Sequence, residues 1–431
     1  MTIKTPFRRA LLAAASTFAF GAVAAQAQDI AIYSGYPELG PFYEHVAAGM
    51  AQSHPDLKVH VEPITLREHE RRVALGLTSG FEMPTVIELS TSTAGRYIEN
   101  KLMQPAPENI ISFVSDAANF DPFFKEAVSR DGTIYGVPLF RGQGSLFYNT
   151  KMFKEAGLTE PPKTMEEFTD YAAKLAKRDA SGNLTVSGWS LRLSGGSQGI
   201  TEKWWLILHN HGGSLLEQTA DGKWRAAYAS DAGVKALSQY LDNVYKEKTV
   251  TVEMPADAEA FEREQTAMFI RESWVIGDIA SKAPGLEYAT APLPRGSIAL
   301  PANLYVAGAD DDEAAAKAAW EFALETNKPE NLVWLLENVG WLPNRAGVDY
   351  SPVTSKNPAY DAFLNYPQGY ELFTVPGIAP IEEIQTRLST RLQQAFETPA
   401  LAGDEAGIRK LLEEAAAETN SLLERDGLLA K

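Results

Sequence analysis

Two short stretches have residue types that could carry catalysis or metal binding. Gly195-Gly196-Ser197-Gln198-Gly199 matches the G-x-S-x-G pattern, in which a serine nucleophile sits on a sharp strand-to-helix turn. That chemistry needs an acid and then a histidine further along the chain. His211 is the last histidine, 14 residues after Ser197, so the usual order cannot be completed. The stretch reads as a Gly-rich loop after a strand around Gly188–Leu193. His209-Asn210-His211 offers two imidazoles with no third nearby, and Gly212-Gly213 behind them marks a turn. His45, His54, His60 and His69 have no ligand spacing. Gly142-x-Gly144 lacks both a third glycine in register and a P-loop lysine. No catalytic, metal or cofactor site is expected. What remains is a set of aromatics beside Gly, Pro or polar residues: Tyr36, Trp204-Trp205, Trp274 and Trp341. Any one of them is by default a core residue. Together they suggest sugar binding, because a ring face stacks on the apolar face of a sugar while amides and charges bond its rim. Each stack contributes about 2–3 kcal/mol, so two of them plus a few hydrogen bonds reach the roughly 8 kcal/mol of a micromolar site.

Such residues need elements to position them. The chain has 431 residues, 45% hydrophobic and 22% charged, which is ordinary for two or three folded units. Lys and Arg number 39 against 56 Asp and Glu, and a net charge of −17 argues against nucleic acid or anionic membrane as the main partner. There is no cysteine, so disulfides, thiolate metal sites, thiol nucleophiles and a lipidated N-terminal cysteine are all excluded. Lys4, Arg8 and Arg9, an apolar stretch from Ala10 to about Val23, and Ala25-Gln26-Ala27 form a secretory signal with cleavage after Ala27. The apolar stretch is too short, and too rich in Ala and Ser, for a transmembrane anchor. Its removal takes three positive charges and no negative one, leaving −20 over 404 residues.

The mature chain alternates strand and helix. Asp29–Ser34, Leu57–Ile64 and Thr85–Leu89 read as strands, and Pro41–His54 and Leu66–Ser79 as the helices between them. This is the pattern of βαβ units on a parallel sheet, so the fold class is α/β. Later helices are expected over Met165–Lys177 with Thr164 as N-cap, Asp231–Lys246, Asp312–Glu325 and Ile381–Glu424. The run Asp310-Asp311-Asp312-Glu313 reads as a helix start rather than a metal site.

Three segments carry a family resemblance. Ile134–Phe168 (IYGVPLFRGQGSLFYNTKMFKEAGLTEPPKTMEEF), Glu264–Ile279 (EQTAMFIRESWVIGDI) and Asn338–Arg345 (NVGWLPNR) resemble the extracellular solute-binding proteins of ABC importers, of the maltose-binding-protein-like sugar-binding group. The resemblance implies a type II periplasmic binding protein fold, with two α/β lobes joined by crossing strands and the ligand cleft between them. The chain would cross at Tyr135–Pro138, return near Ala291–Arg295 and cross again near Gly340–Pro343. One lobe would be residues 28–137 plus 296–340, the other 138–295 plus 341–431. Family cleft positions fall on the Ser34-Gly35-Tyr36 loop, Glu88 to Ser92 including Thr91, Arg141 to Gln143, Trp204, Trp274, Gly340, Trp341 and Arg345. The expected function is the periplasmic binding component of a carbohydrate importer, a freely diffusing monomer that hands its ligand to the permease transmembrane subunits. Stacking on Trp274 and Trp204 and polar selection by Glu88, Arg141, Gln143 and Arg345 would precede lobe closure. Arg141 and Arg345 motivate an anionic sugar derivative or glycerol phosphate as alternative ligand. A secreted glycan-active enzyme using paired carboxylates is the alternative from another class.

Overall fold

Short β-branched runs build the first sheet in the computed structural model, which describes residues 28–79, 83–195, 198–254, 258–307 and 312–431. The expected export segment 1–27, Gly196 and Ser197 of the glycine-rich loop, and Asp310 and Asp311 lie outside the described residues. Strand β1 (Gln28–Ser34) buries Ile30 and Ile32 and pairs in parallel with both β2 (Leu57–Pro63) and β3 (Val86–Ser90). Helix α1 (Gly40–Met50) turns Phe42, Tyr43, Val46 and Met50 inward, and α2 (Leu66–Ser79) turns His69, Val73 and Gly76 inward. These are the βαβ units that the alternation predicts, since parallel strands need a crossover between them. Ser90 ends β3 and caps α3 (Thr91–Glu99), its hydroxyl accepting the N–H of Thr93 at 3.2 Å.

The next long strand belongs to two halves at once. Strand β4 (Gly136–Asn149) is 14 residues long and buried along nearly its whole length. Its first part pairs with β7 (Gly296–Val306), which in turn pairs antiparallel with β3. Its last part pairs instead with β5 (Met268–Glu272) and β6 (Tyr288–Ala291). Between the two, β8 (Leu342–Pro343) lies against Phe140 and Arg141, while β9 (Glu371–Phe373) runs parallel to the start of β7. One core draws on residues between Ile30 and Phe140 and between Ala302 and Trp341; a second draws on residues between Leu146 and Ile298 and between Val375 and Leu423; a smaller third gathers Phe147, Phe261, Phe269, Leu336, Leu342 and Phe363.

Helices cover the sheet. The caps at α4 (Met165–Leu175) and α8 (Glu313–Thr326) follow expectation: Thr164 accepts the N–H of Glu167 at 3.2 Å, and Asp312 accepts those of Ala314 and Ala315 at 3.1 and 3.0 Å. Three readings are corrected. Gly188–Leu193 is not a strand. Only Ser187 bridges to Thr266, because a β-carbon on Gly188 would lie 1.9 Å from the Ala172 carbonyl and the chain passes hard over the end of α4. The turn expected at Gly212-Gly213 is present: His209 and Asn210 close the last turn of α5 (Gly199–Asn210), and the chain turns at His211 and Gly212, the latter with φ +87°. Helix α6 (Asp231–Leu241) stops short of Lys246, as Asp242–Lys246 winds more widely in a π turn. The long C-terminal run is two helices, α10 (Ile381–Phe396) and α11 (Glu405–Arg425), broken at Pro399 where the helix cannot donate an N–H. Helices α7 (Val275–Lys282) and α9 (Pro329–Asn338) complete the elements that bear on the site.

Trp204, expected at the ligand, is among the deepest residues of the second core. Its ring is 0% exposed and meets Tyr228 edge-on at 6.1 Å. It has no face to offer a sugar. Trp204→Ala should therefore lower stability by about 3–5 kcal/mol, as removal of a buried indole does. Urea unfolding measures this, and a loss below about 1 kcal/mol would show the ring to be dispensable to the core.

Candidate functional site

The loop that leaves β1 brings the first site residue out of the sheet. Ser34, Gly35 and Tyr36 turn away from the strand, and the carboxyl group of buried Glu88 on neighbouring β3 holds the turn. It accepts the Ser34 hydroxyl at 3.2 and 3.4 Å, the Gly35 N–H at 3.3 Å and the Tyr43 hydroxyl. Burial is the largest influence on this group and pushes its pKa up to about 8, although the bonds from Tyr43, Ser34 and Gly35 pull it down. His69 on α2 braces the same strand, its Nε2 donating to the Glu88 carbonyl at 2.6 Å. Burial lowers the His69 pKa, so its ring is neutral and Nδ1 is left as an acceptor.

Tyr36 then stands within an aromatic group. Its ring meets Phe140 edge-on at 5.3 Å and Trp341 at 5.5 Å. The Trp341 indole N–H donates to Glu38 at 3.0 Å. Gly340 has φ +86°, a left-handed conformation that glycine adopts without strain, and its carbonyl accepts the Ser273 hydroxyl at 2.7 Å. This bond ties the Trp341 turn to the residue before Trp274, whose ring lies under the Arg271 guanidinium at 5.3 Å. Burial and then the charges of Glu88, Glu70, Glu38 and Glu202 raise the Tyr36 hydroxyl well above its usual range.

A cavity of about 140 Å³ opens beside Tyr36, and both halves of the molecule line it. One wall is Tyr36, His69, Glu70, Glu88, Ser90 and Ser92; the other comes from Gln198 and Glu202 at the start of α5, Leu300, and Glu382 and Gln385 of α10. Behind the second wall, Lys203 and Glu272 pair at 2.6 Å and Arg271 approaches the same carboxylate at 3.4 Å. Burial alone would raise the Glu272 carboxyl, but Lys203 and Arg271 outweigh it and hold it at about 2.

The structure thus brings Tyr36, Glu88, Trp274, Gly340 and Trp341 into one neighbourhood, of which Tyr36 and Glu88 line the cavity, and separates the rest. Thr91 sits just beyond, 3.4 Å from the Asn303 amide. Arg141 and Gln143 face away from Tyr36. Along β4, Phe140 and Gly142 lie towards Tyr36 and Trp341, so the alternation of a strand turns 141 and 143 to the opposite face. There the Arg141 guanidinium donates to Gln143 Oε1, the Pro343 and Phe363 carbonyls, Asn344 and the Tyr366 hydroxyl, at 2.7 to 3.4 Å. Arg345 is also engaged away from the cleft, with the Asn327 carbonyl and with Asn119 at 3.1 Å, over the Phe113 ring. Both arginines line a separate cavity of about 490 Å³ behind the crossing strands. Gln198, Glu202, Glu382 and Gln385 had no signal along the chain, because α5 and α10 meet the first half only in the folded molecule.

A family model described as bacterial extracellular solute-binding protein matches residues 46–362. Putative binding proteins of Brucella abortus and Brucella suis are 22% identical over 270 residues, and the chain spans 62% of their length. The sn-glycerol-3-phosphate-binding periplasmic protein UgpB of Pectobacterium atrosepticum is 25% identical over 366 residues, 78% of each chain. Among solved structures, an ABC transporter solute-binding protein of Thermotoga lettingae bound with α-D-tagatose superposes with a TM-score of 0.73 at 21% identity, over 92% of this chain and 100% of that one. The likeness is one of fold: this is a two-lobed α/β protein of the periplasmic binding type.

The proton on Glu88 gives a sign for the pH dependence of stability. The folded state keeps it up to about pH 8, while the unfolded chain releases it near the ordinary 4.5, so stability falls as pH rises between those values. The whole effect is on the order of 5 kcal/mol. Glu88→Gln, which cannot ionise, should flatten the decline in melting temperature across this window. Parallel curves for the two proteins would show that Glu88 does not carry it.

Proposed function

We propose that this chain, which belongs to the bacterial extracellular solute-binding protein family, is the substrate-binding component of a carbohydrate ABC importer, without catalytic chemistry of its own. The observation that carries this reading is the cavity beside Tyr36, walled by both halves of the fold. A ligand touching both walls binds better when they approach, so it shifts an open–closed equilibrium by its differential affinity, and the permease can sense closure. In this reading the lobes are residues 28–137 plus 296–340 and 138–295 plus 341–431, with Ile298 and Leu300 packing into the second core, and Leu139, Phe140 and Trp341 into the first, where the strands cross. Tyr36, supported by Phe140 and Trp341, supplies the sugar platform; Ser90, Ser92, Gln198 and Gln385 supply the polar rim. The binding-protein names of the relatives support a non-catalytic role. Release of residues 1–27 would leave a monomer free in the periplasm, and no described helix is long and apolar enough to cross a membrane.

An anionic ligand is the second reading, supported by the relatives named for sn-glycerol 3-phosphate. The cavity favours a carbohydrate over it: Arg141 and Arg345 donate elsewhere, the one guanidinium on the wall, Arg67, is paired with Glu70, and Glu202 and Glu382 add carboxyl groups.

Thermal shift with neutral mono- and disaccharides and with sn-glycerol 3-phosphate separates the two, since a ligand at 100 times its Kd stabilises by about 2.7 kcal/mol. A sugar should stabilise and the phosphate should not. Tyr36→Ala should weaken that sugar by about tenfold or more in calorimetry. Preference for the phosphate, or hydrolysis of any glycoside tested, would overturn the reading.

A further inference from the structure

The cavity wall is chemically one-sided. Four carboxyl groups line it, Glu70, Glu88, Glu202 and Glu382, against a single guanidinium, Arg67. Arg67 is tied to Glu70 at 2.8 Å, and Glu88 is spent on Ser34, Gly35 and Tyr43. Lys203, next to Glu202 in the chain, is taken by Glu272 at 2.6 Å. Among the described residues, the carboxyl groups of Glu202 and Glu382 have no hydrogen bond or ion pair of their own. Burial, and after it the like charge of Glu272, raises the Glu202 carboxyl despite the fields of Lys203, Arg192 and Arg67, so a cation brought against it would be what holds it ionised.

A second observation points to a ligand at the same wall. Gln385 is 2% exposed and lines the cavity, yet its Nε2 has no partner. His69, 1% exposed on the facing wall, has an unpartnered Nδ1. Buried polar atoms are seldom left unmet, and each needs a group that the protein does not supply. Hydroxyls can satisfy Gln385 and His69. They cannot neutralise Glu202.

Resting on the carbohydrate reading above, we infer that the ligand is an amine-bearing carbohydrate, whose ammonium group pairs with Glu202 while its hydroxyls meet Gln385 and a ring face lies on Tyr36. An ammonium near the Tyr36 ring is also attracted by its negative face. Charge-assisted hydrogen bonds inside a cleft shielded from water are the stronger kind, so the amine should decide selection.

The test is a matched pair of probes. Glucosamine disaccharide from chitosan and its N-acetylated counterpart share a backbone and differ in the charge on nitrogen. Calorimetry at about pH 6, where the amine is protonated, should give the amine form about tenfold or more tighter binding. Glu202→Gln should shrink that ratio to within about threefold, whatever it does to each affinity alone. Glu382→Gln, an exposed position, is a second variant that should narrow the ratio in the same direction. Equal binding of the two forms by the wild type, or a ratio that survives Glu202→Gln, would overturn the amine assignment and leave the carbohydrate reading standing. Failure of both forms and of the neutral sugars to stabilise the protein would overturn both.

Discussion

The period of one strand decides where everything else can act. Gly136–Asn149 runs from one half of the molecule into the other, and its side chains alternate between two surfaces. Phe140 and Gly142 face Tyr36 and Trp341; Arg141 and Ser145 face the carbonyls of Phe363 and Ala362 behind it. The first surface carries the aromatic group and the second is the back of the joint. Strands β7 and β8 pair with this strand where the two halves meet. Arg141 binds the joint from behind, linking β4 to Pro343 and Phe363, which lie more than 200 positions away in the chain. A cation in that role stabilises through many neutral acceptors and leaves nothing over for a solute.

This explains what could be read along the chain and what could not. Strands and helices with a clear period were legible: β1 to β3, α1, α2 and the cap residues Thr164 and Asp312 stand where spacing and side-chain chemistry predict them. The motif segments fall where the long strand changes partners, and Tyr36 and Trp341, singled out as aromatics beside turns, meet at 5.5 Å. The face of a residue in β4 was not. A strand buried on both sides carries no polar alternation to orient it, so Arg141 and Gln143 looked equally able to meet a ligand. Trp204 misled for a related reason. It follows a glycine-rich loop, which suggests a surface, but α5 sinks into the second core within a turn of that loop. The far wall of the cavity was invisible, since Glu202 and Gln385 come together only when α5 meets α10. The Thr201 hydroxyl, bonded to the Gln385 carbonyl at 2.7 Å, fixes that meeting.

Charge is distributed with similar economy. The chain has more acids than bases, yet the carboxylates near the cleft play different parts. Glu88 is buried and protonated at neutral pH, so it acts as a hydrogen-bonding peg that shapes the Tyr36 loop. Glu272 is kept ionised by two cations and locks the second wall. Glu38 steadies the Trp341 indole. Identical functional groups thus serve as a peg, a lock and a brace, according to how deep each lies and which neighbours reach it.

Gly142 has a consequence for how the aromatic group sits on the crossing strand. A β-carbon there would stand 3.3 Å from the Trp341 ring and 3.7 Å from Glu272, close enough that the ring would have to shift by a few tenths of an ångström. Trp341 in turn meets Tyr36 at 5.5 Å, so a side chain at 142 would press on Tyr36 through its neighbour. The absence of one carbon atom from β4 thus lets the rings rest directly on the backbone of the strand that joins the two halves.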